Sequence, residues 1–88
     1  MISVEWKLAA RDELDAIWAA ADVGELPALE RLVVDLLTDL RDDPLGVGES
    51  RTGVRRVVVR SPLTVWFEVL DDARRVRIYH IRRPARRA

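Results

Sequence analysis

Ile2, Val4 and Trp6 alternate with Ser3, Glu5 and Lys7, the two-residue period of a half-buried strand. From Arg11 or Asp12 the period lengthens. Leu14, Ile17, Trp18 and Ala21 recur at i, i+3, i+4 and i+7 and predict a helix with that face buried, its first turn holding Asp12, Glu13 and Asp15, where the macrodipole favours negative charge. Gly24 is its stop. A second helix is predicted from about Pro27, a residue suited to a first helical position, to about Arg41. Its apolar stripe is Leu29, Leu32, Val33, Leu36, Leu37 and Leu40. The short connection makes the two helices an antiparallel hairpin that needs a sheet to cover it.

Asp42-Asp43-Pro44 ends the second helix, and Leu45 to Ser50 reads as a loop. Three strands follow, Val54–Arg60, Leu63–Leu70 and Arg74–Ile81, joined by turns at Ser61-Pro62 and Asp71-Asp72-Ala73. The order is β-α-α-β-β-β. Helices followed by strands predict an α+β fold, a helical hairpin packed on one face of a mainly antiparallel four-stranded sheet. Alternation turns Val57 and Val59, then Val65, Phe67 and Val69, then Val76, Ile78 and His80 toward the helices. Arg56, Val58, Arg60, Trp66, Glu68, Leu70, Arg77, Tyr79 and Ile81 fall on the other face, and a slip of one residue exchanges the two sets. Residues 1–88 form one domain, with 82–88 a basic C-terminal tail containing Pro84.

Composition sharpens this picture. The chain has 88 residues, 49% hydrophobic and 34% charged, with no cysteine, so it is globular and needs neither a disulfide nor a thiolate metal site. No segment approaches the roughly 18 apolar residues of a membrane span, and Met1 to Trp6 lacks the features of a signal peptide. A cytoplasmic protein with no membrane partner is expected. The net charge of zero hides an asymmetry. Residues 1–50 carry 4 basic and 12 acidic side chains, a net −8, whereas residues 51–88 carry 11 arginines against Glu68, Asp71 and Asp72, a net +8. Clustered arginine attracts phosphate or carboxylate surfaces and binds phosphate with a bidentate fork. The plainer account is that the acidic helices neutralise the basic sheet within the molecule.

Arg55, Arg56, Arg60, Arg77, Arg82, Arg83 and Arg86 together suffice to neutralise several phosphates, and Trp66 and Tyr79 among them offer rings for an unpaired base. His80, the single histidine, is the residue type suited to a general acid or base, but alternation sets it beside Val76 and Ile78 as a packed residue. One histidine without cysteine disfavours zinc. No nucleophile-elbow motif supports a Ser-His-Asp site. Gly46-Val47-Gly48 lacks the Lys-Ser/Thr and the preceding strand of a phosphate loop. Trp6 and Trp18 are read as core. No cofactor is expected.

Taken together, the element order, Leu40-Arg41-Asp42-Asp43-Pro44-Leu45-Gly46, Gly53-Val54-Arg55-Arg56, Val65-Trp66-Phe67-Glu68-Val69 with its acidic turn, and Val76-Arg77-Ile78-Tyr79-His80-Ile81-Arg82-Arg83 resemble the RelE/ParE superfamily of small toxins from bacterial type II toxin–antitoxin systems. The resemblance implies a toxin held inactive by a cognate antitoxin with an acidic segment. Its target would be the ribosome, where RelE-like members cut mRNA, or DNA gyrase, which ParE-like members inhibit. For the nuclease branch it implies a catalytic set at Arg56, Arg60, Arg83 and Arg86, while the basic and aromatic pattern itself points to Arg55, Trp66, Arg77, Tyr79 and Arg82 as target-binding. That branch carries arginine where this chain has Thr64 and near Pro84, and its base would have to be Tyr79 or His80, neither well placed by alternation. These departures favour ParE-like inhibition, or a non-toxic member acting as a basic binding module for RNA or an acidic protein.

Overall fold

The computed structural model describes residues 1–84. Strand β1 (Ser3–Trp6) follows the alternation of the N-terminus, with Ile2, Val4 and Trp6 against the core. It ends where the Lys7 N–H donates to the Ile78 carbonyl at 2.9 Å, and helix α1 (Leu8–Ala20) begins at once. The helix therefore starts three residues before Arg11, because Leu8-Ala9-Ala10 are strong helix formers. Its first turn holds no acidic side chain, so Asp12, Glu13 and Asp15 do not meet the dipole as the sequence suggested. Ala21 is extended and ends α1, ahead of Gly24. Helix α2 (Leu26–Asp42) has Pro27 in its first turn and buries Leu29, Val33, Leu36 and Leu40, a stripe at i, i+4, i+7 and i+11.

After a 3₁₀ turn at Pro44–Gly46, the chain makes strands β2 (Glu49–Ser50), β3 (Arg55–Arg60), β4 (Leu63–Leu70) and β5 (Arg75–Arg82). Among the described residues the sheet has five strands, in the order β1-β5-β4-β3-β2, where the sequence led us to expect four. The extra strand is β2, which pairs Glu49 with Val57 and Ser50 with Arg56. Two residues are too few to display a period, so it read as loop. Only β1 and β5 are parallel; the remaining pairs are antiparallel. Both helices lie on one face, and Phe67, Leu36, Leu40, Leu63, Ile78, Ile81, Val65 and Val76 are fully buried between the layers. Each contributes roughly 1.5–3 kcal/mol of burial.

Two corrections concern which way side chains point. In β3, Val58 pairs with Val65 and is 7% exposed within the core, whereas Val59 pairs with Thr64 and is 70% exposed. The sequence assigned the opposite facing, because three consecutive valines are apolar on both faces and leave the register open. In β5, Trp66 pairs with His80 but Phe67 pairs with Ile78. Tyr79 is thus an inserted residue, a β-bulge that changes the facing of everything after it. His80 turns away from Val76 and Ile78, and Ile81 turns inward to 2% exposure. The strand also continues through Arg82, the first residue of the expected tail. No described helix is long and apolar enough to cross a membrane.

Candidate functional site

The sheet face turned away from the helices is organised in rungs set by strand register. The first carries Arg55, Glu68 and Arg77 across β3, β4 and β5. Glu68 lies between the two guanidiniums, 3.7 Å from Arg55 Nε and 3.9 Å from Arg77 Nη1, while Arg77 Nε is also 3.8 Å from Glu5 Oε1. Arg55 sits over the Tyr79 ring, with its guanidinium carbon 5.2 Å from the centroid, a cation–π contact. The next rung is Val57, Trp66 and His80, whose rings stack at 4.4 Å with a 33° tilt. The third is Val59, Thr64 and Arg82. Arg82 is exposed and forms no ion pair among the described residues.

His80 is held from a second side. Strand β1 covers β5 only as far as Ile78, and beyond it α1 lies along the bare edge. Glu13 Oε2 is 2.6 Å from His80 Nδ1, and Glu13 Oε1 accepts the Ile81 N–H at 3.3 Å. This carboxylate does two jobs: it satisfies an orphan donor at the strand edge and it places the imidazole proton on Nδ1. Nε2 is left without a hydrogen bond among the described residues, and it is not buried.

Arginines on the helix side are occupied differently. Arg56 Nε donates to the Val47 carbonyl at 3.2 Å, and its Nη2 donates to the carbonyls of Leu45 and Gly48 at 3.0 and 3.1 Å. It clamps the loop before β2. Arg60 Nη2 lies 2.8 Å from Asp39 Oδ2 on α2. Arg83 makes a two-pronged contact with Glu25, its Nη1 and Nη2 donating to the carboxylate oxygens at 3.0 and 2.8 Å. That hydrogen bonding, opposed by burial and aided by the charges of Glu25 and Asp22, holds the Arg83 guanidinium above its ordinary pKa. Among the described residues no group of three or more His, Cys, Asp and Glu side chains is arranged to hold a metal ion.

No protein-family model matches the chain. No curated protein matches it either. Solved structures do. A chain of the chromosomal ParDE toxin–antitoxin system of P. aeruginosa superposes with a TM-score of 0.70 at 26% identity, covering 97% of this chain and 98% of that one. The chain has the fold of the RelE/ParE superfamily. The RelBE2 toxin–antitoxin complex of Mycobacterium tuberculosis gives a TM-score of 0.71 at 21% identity over 94% and 98% of the two chains. For the intact RelBE complex of E. coli the score is 0.56 at 16% identity, over 98% and 100%.

Within this RelE/ParE fold the expected residues separate into two groups. Arg55, Trp66, Arg77, Tyr79 and Arg82 share the open face. Arg56, Arg60 and Arg83 lie on the helix side at three different places, each against an acceptor of the same chain, and Arg86 is outside the described residues. Thr64, where the resemblance led us to expect arginine for a nuclease, is the cross-strand partner of Arg82. Sequence reasoning missed Glu13, because its role depends on a contact across 68 positions of the chain. It also misplaced His80, because no pattern in a single sequence marks the bulge at Tyr79.

Proposed function

We propose that this chain is the toxin of a toxin–antitoxin pair and that it acts on RNA through the open face of β3, β4 and β5. The observation that carries the target is the grouping on that face of an exposed arginine without an ion pair, Arg82, with the Arg55–Tyr79 and Trp66–His80 contacts. Arginine binds phosphate, and aromatic rings stack on unpaired bases, so a face of this kind suits a single strand. The toxin role is supported by the likeness, over nearly the whole of each chain, to chains of ParDE and RelBE toxin–antitoxin complexes. Its restraint then falls to a cognate antitoxin with an acidic segment, which would compete for the arginines.

A second reading, ParE-like inhibition of DNA gyrase, is favoured by the 26% identity to the ParDE chain. Induction of the chain in growing cells, with mRNA ends and plasmid supercoiling read in parallel, separates the two. Cut messages with unchanged supercoiling are expected. Altered supercoiling with intact messages would favour gyrase, and unimpaired growth would reduce the chain to a non-toxic basic binding module.

A further inference from the structure

We propose that His80 is the general base of a ribonucleolytic site on the open sheet face, with Glu13 as its positioning residue and Arg82 as the contact to the scissile phosphate. The proposal rests on the RNA-directed reading above, and it assigns the chemistry to residues other than Arg56, Arg60 and Arg83.

The geometry supplies what a base needs. Glu13 is fixed at both oxygens, one on the Ile81 N–H and one on His80 Nδ1, so the imidazole is oriented and its proton is confined to Nδ1. Trp66 stacks on the ring and limits its rotation. In the neutral ring with its proton on the Nδ1 that faces Glu13, the lone pair falls on Nε2, which makes no hydrogen bond among the described residues and is open to a ligand. Glu13 faces the ring from α1, Arg82 lies two positions further along β5, and Glu68 on β4 is between Arg55 and Arg77. Because Arg82 follows His80 by two residues on one strand face, their Cα atoms are about 6.6 Å apart, a spacing that lets one hold a phosphate while the other reaches the adjoining ribose.

The step balances without a metal or redox partner. His80 Nε2 takes the proton of a ribose 2′-hydroxyl, and the 2′-oxygen forms a bond to the neighbouring phosphorus. The bond from phosphorus to the 5′-oxygen breaks, and the departing oxygen takes a proton from water. The imidazolium then returns its proton to the hydroxide so formed. Products are a 2′,3′-cyclic phosphate and a 5′-hydroxyl. Charge gathering on the phosphorane is met by the Arg82 guanidinium.

The test uses the purified chain with a labelled single-stranded oligoribonucleotide, its 2′-O-methyl counterpart, and an mRNA undergoing translation on ribosomes. The expected result is cleavage of free or ribosome-bound RNA to cyclic-phosphate ends, with the 2′-O-methyl strand untouched. His80→Ala should lower the rate about 100-fold or more, and added imidazole should restore part of it, which a purely structural histidine would not show. Glu13→Gln should shift the pH–rate profile. His80→Gln, which keeps a donor for Glu13, should stay folded and inactive, so that loss of rate is separable from loss of structure. If the wild-type chain cuts RNA and His80→Ala cuts it equally well, the assignment of His80 is overturned while the RNA reading stands. If the wild-type chain cuts neither free nor ribosome-bound RNA, both fall.

Discussion

Gly48 lies so close to Val57 that a Cβ built on it would stand 2.2 Å from the Val57 carbonyl oxygen. Its φ of +67° is also one that side-chain-bearing residues rarely adopt. Gly53 shares the second property, with φ +60°, but has open space around it. Gly53→Ala should therefore cost about 1 kcal/mol from backbone strain alone, whereas Gly48→Ala must also push β2 off β3 and should cost at least about 2 kcal/mol. Chemical denaturation of the two variants measures the difference. Equal midpoints would mean that β2 is not packed against Val57 in this way.

Leu36 and Val34 are two positions apart on α2, yet the first is 1% exposed and the second 60%. Leu36→Asp buries an unpaired carboxylate in the layer between helix and sheet and should cost roughly 3 kcal/mol or more. Val34→Asp should change stability by no more than about 0.5 kcal/mol. Thermal melts of both check which face of α2 meets the sheet.

The helix-to-sheet layer was legible because Leu29, Val33, Leu36 and Leu40 keep a helical period and Leu63 to Leu70 a clean alternation. Both patterns arise from burial on one side, which is what a period records. Val57, Val58 and Val59 carry no such record, since apolar residues on both faces erase it, and the sheet neighbours decided the facing. Nor did the sequence reveal the partners of the arginines. Arg60 with Asp39 and Arg83 with Glu25 are ion pairs between the basic and acidic halves, so part of the charge asymmetry is neutralised inside the molecule. Arg51, Arg74 and Arg82 of the basic half are exposed and without an ion pair among the described residues, and of these Arg82 lies on the open face, where the proposed target binds.

Arg83 and Glu25 form a fork-to-fork contact that lysine cannot reproduce. Arg83→Ala and Arg83→Lys should both lower the melting temperature, the alanine more. The pH dependence has a definite sign. Arg83's pKa is raised in the folded chain, so its contribution is fully present below the ordinary arginine pKa and is lost only as pH climbs through the raised value. The gap in melting temperature between wild type and Arg83→Ala should hold steady from about pH 7 to pH 10, as melts across that interval would show. A gap that closes with rising pH in that window would mean that the contact does not stabilise the fold as a charged pair.

Arg56 and Arg82 are both arginines of the basic half, and they should fail in opposite ways. Arg56→Ala removes the donor shared by the carbonyls of Leu45, Val47 and Gly48. With the contacts only partly shielded from water, the loss should be about 1–2 kcal/mol of stability. Any fall in growth arrest should then track the fraction of unfolded protein. Arg82 is exposed and free of ion pairs among the described residues, so Arg82→Ala should alter stability by no more than about 0.5 kcal/mol while growth arrest and RNA cleavage are lost. Melting curves set against growth of induced cultures make the comparison. An Arg82→Ala chain that stays fully toxic would remove the open face from the mechanism, because Arg82 is the arginine of that face that no ion pair among the described residues occupies.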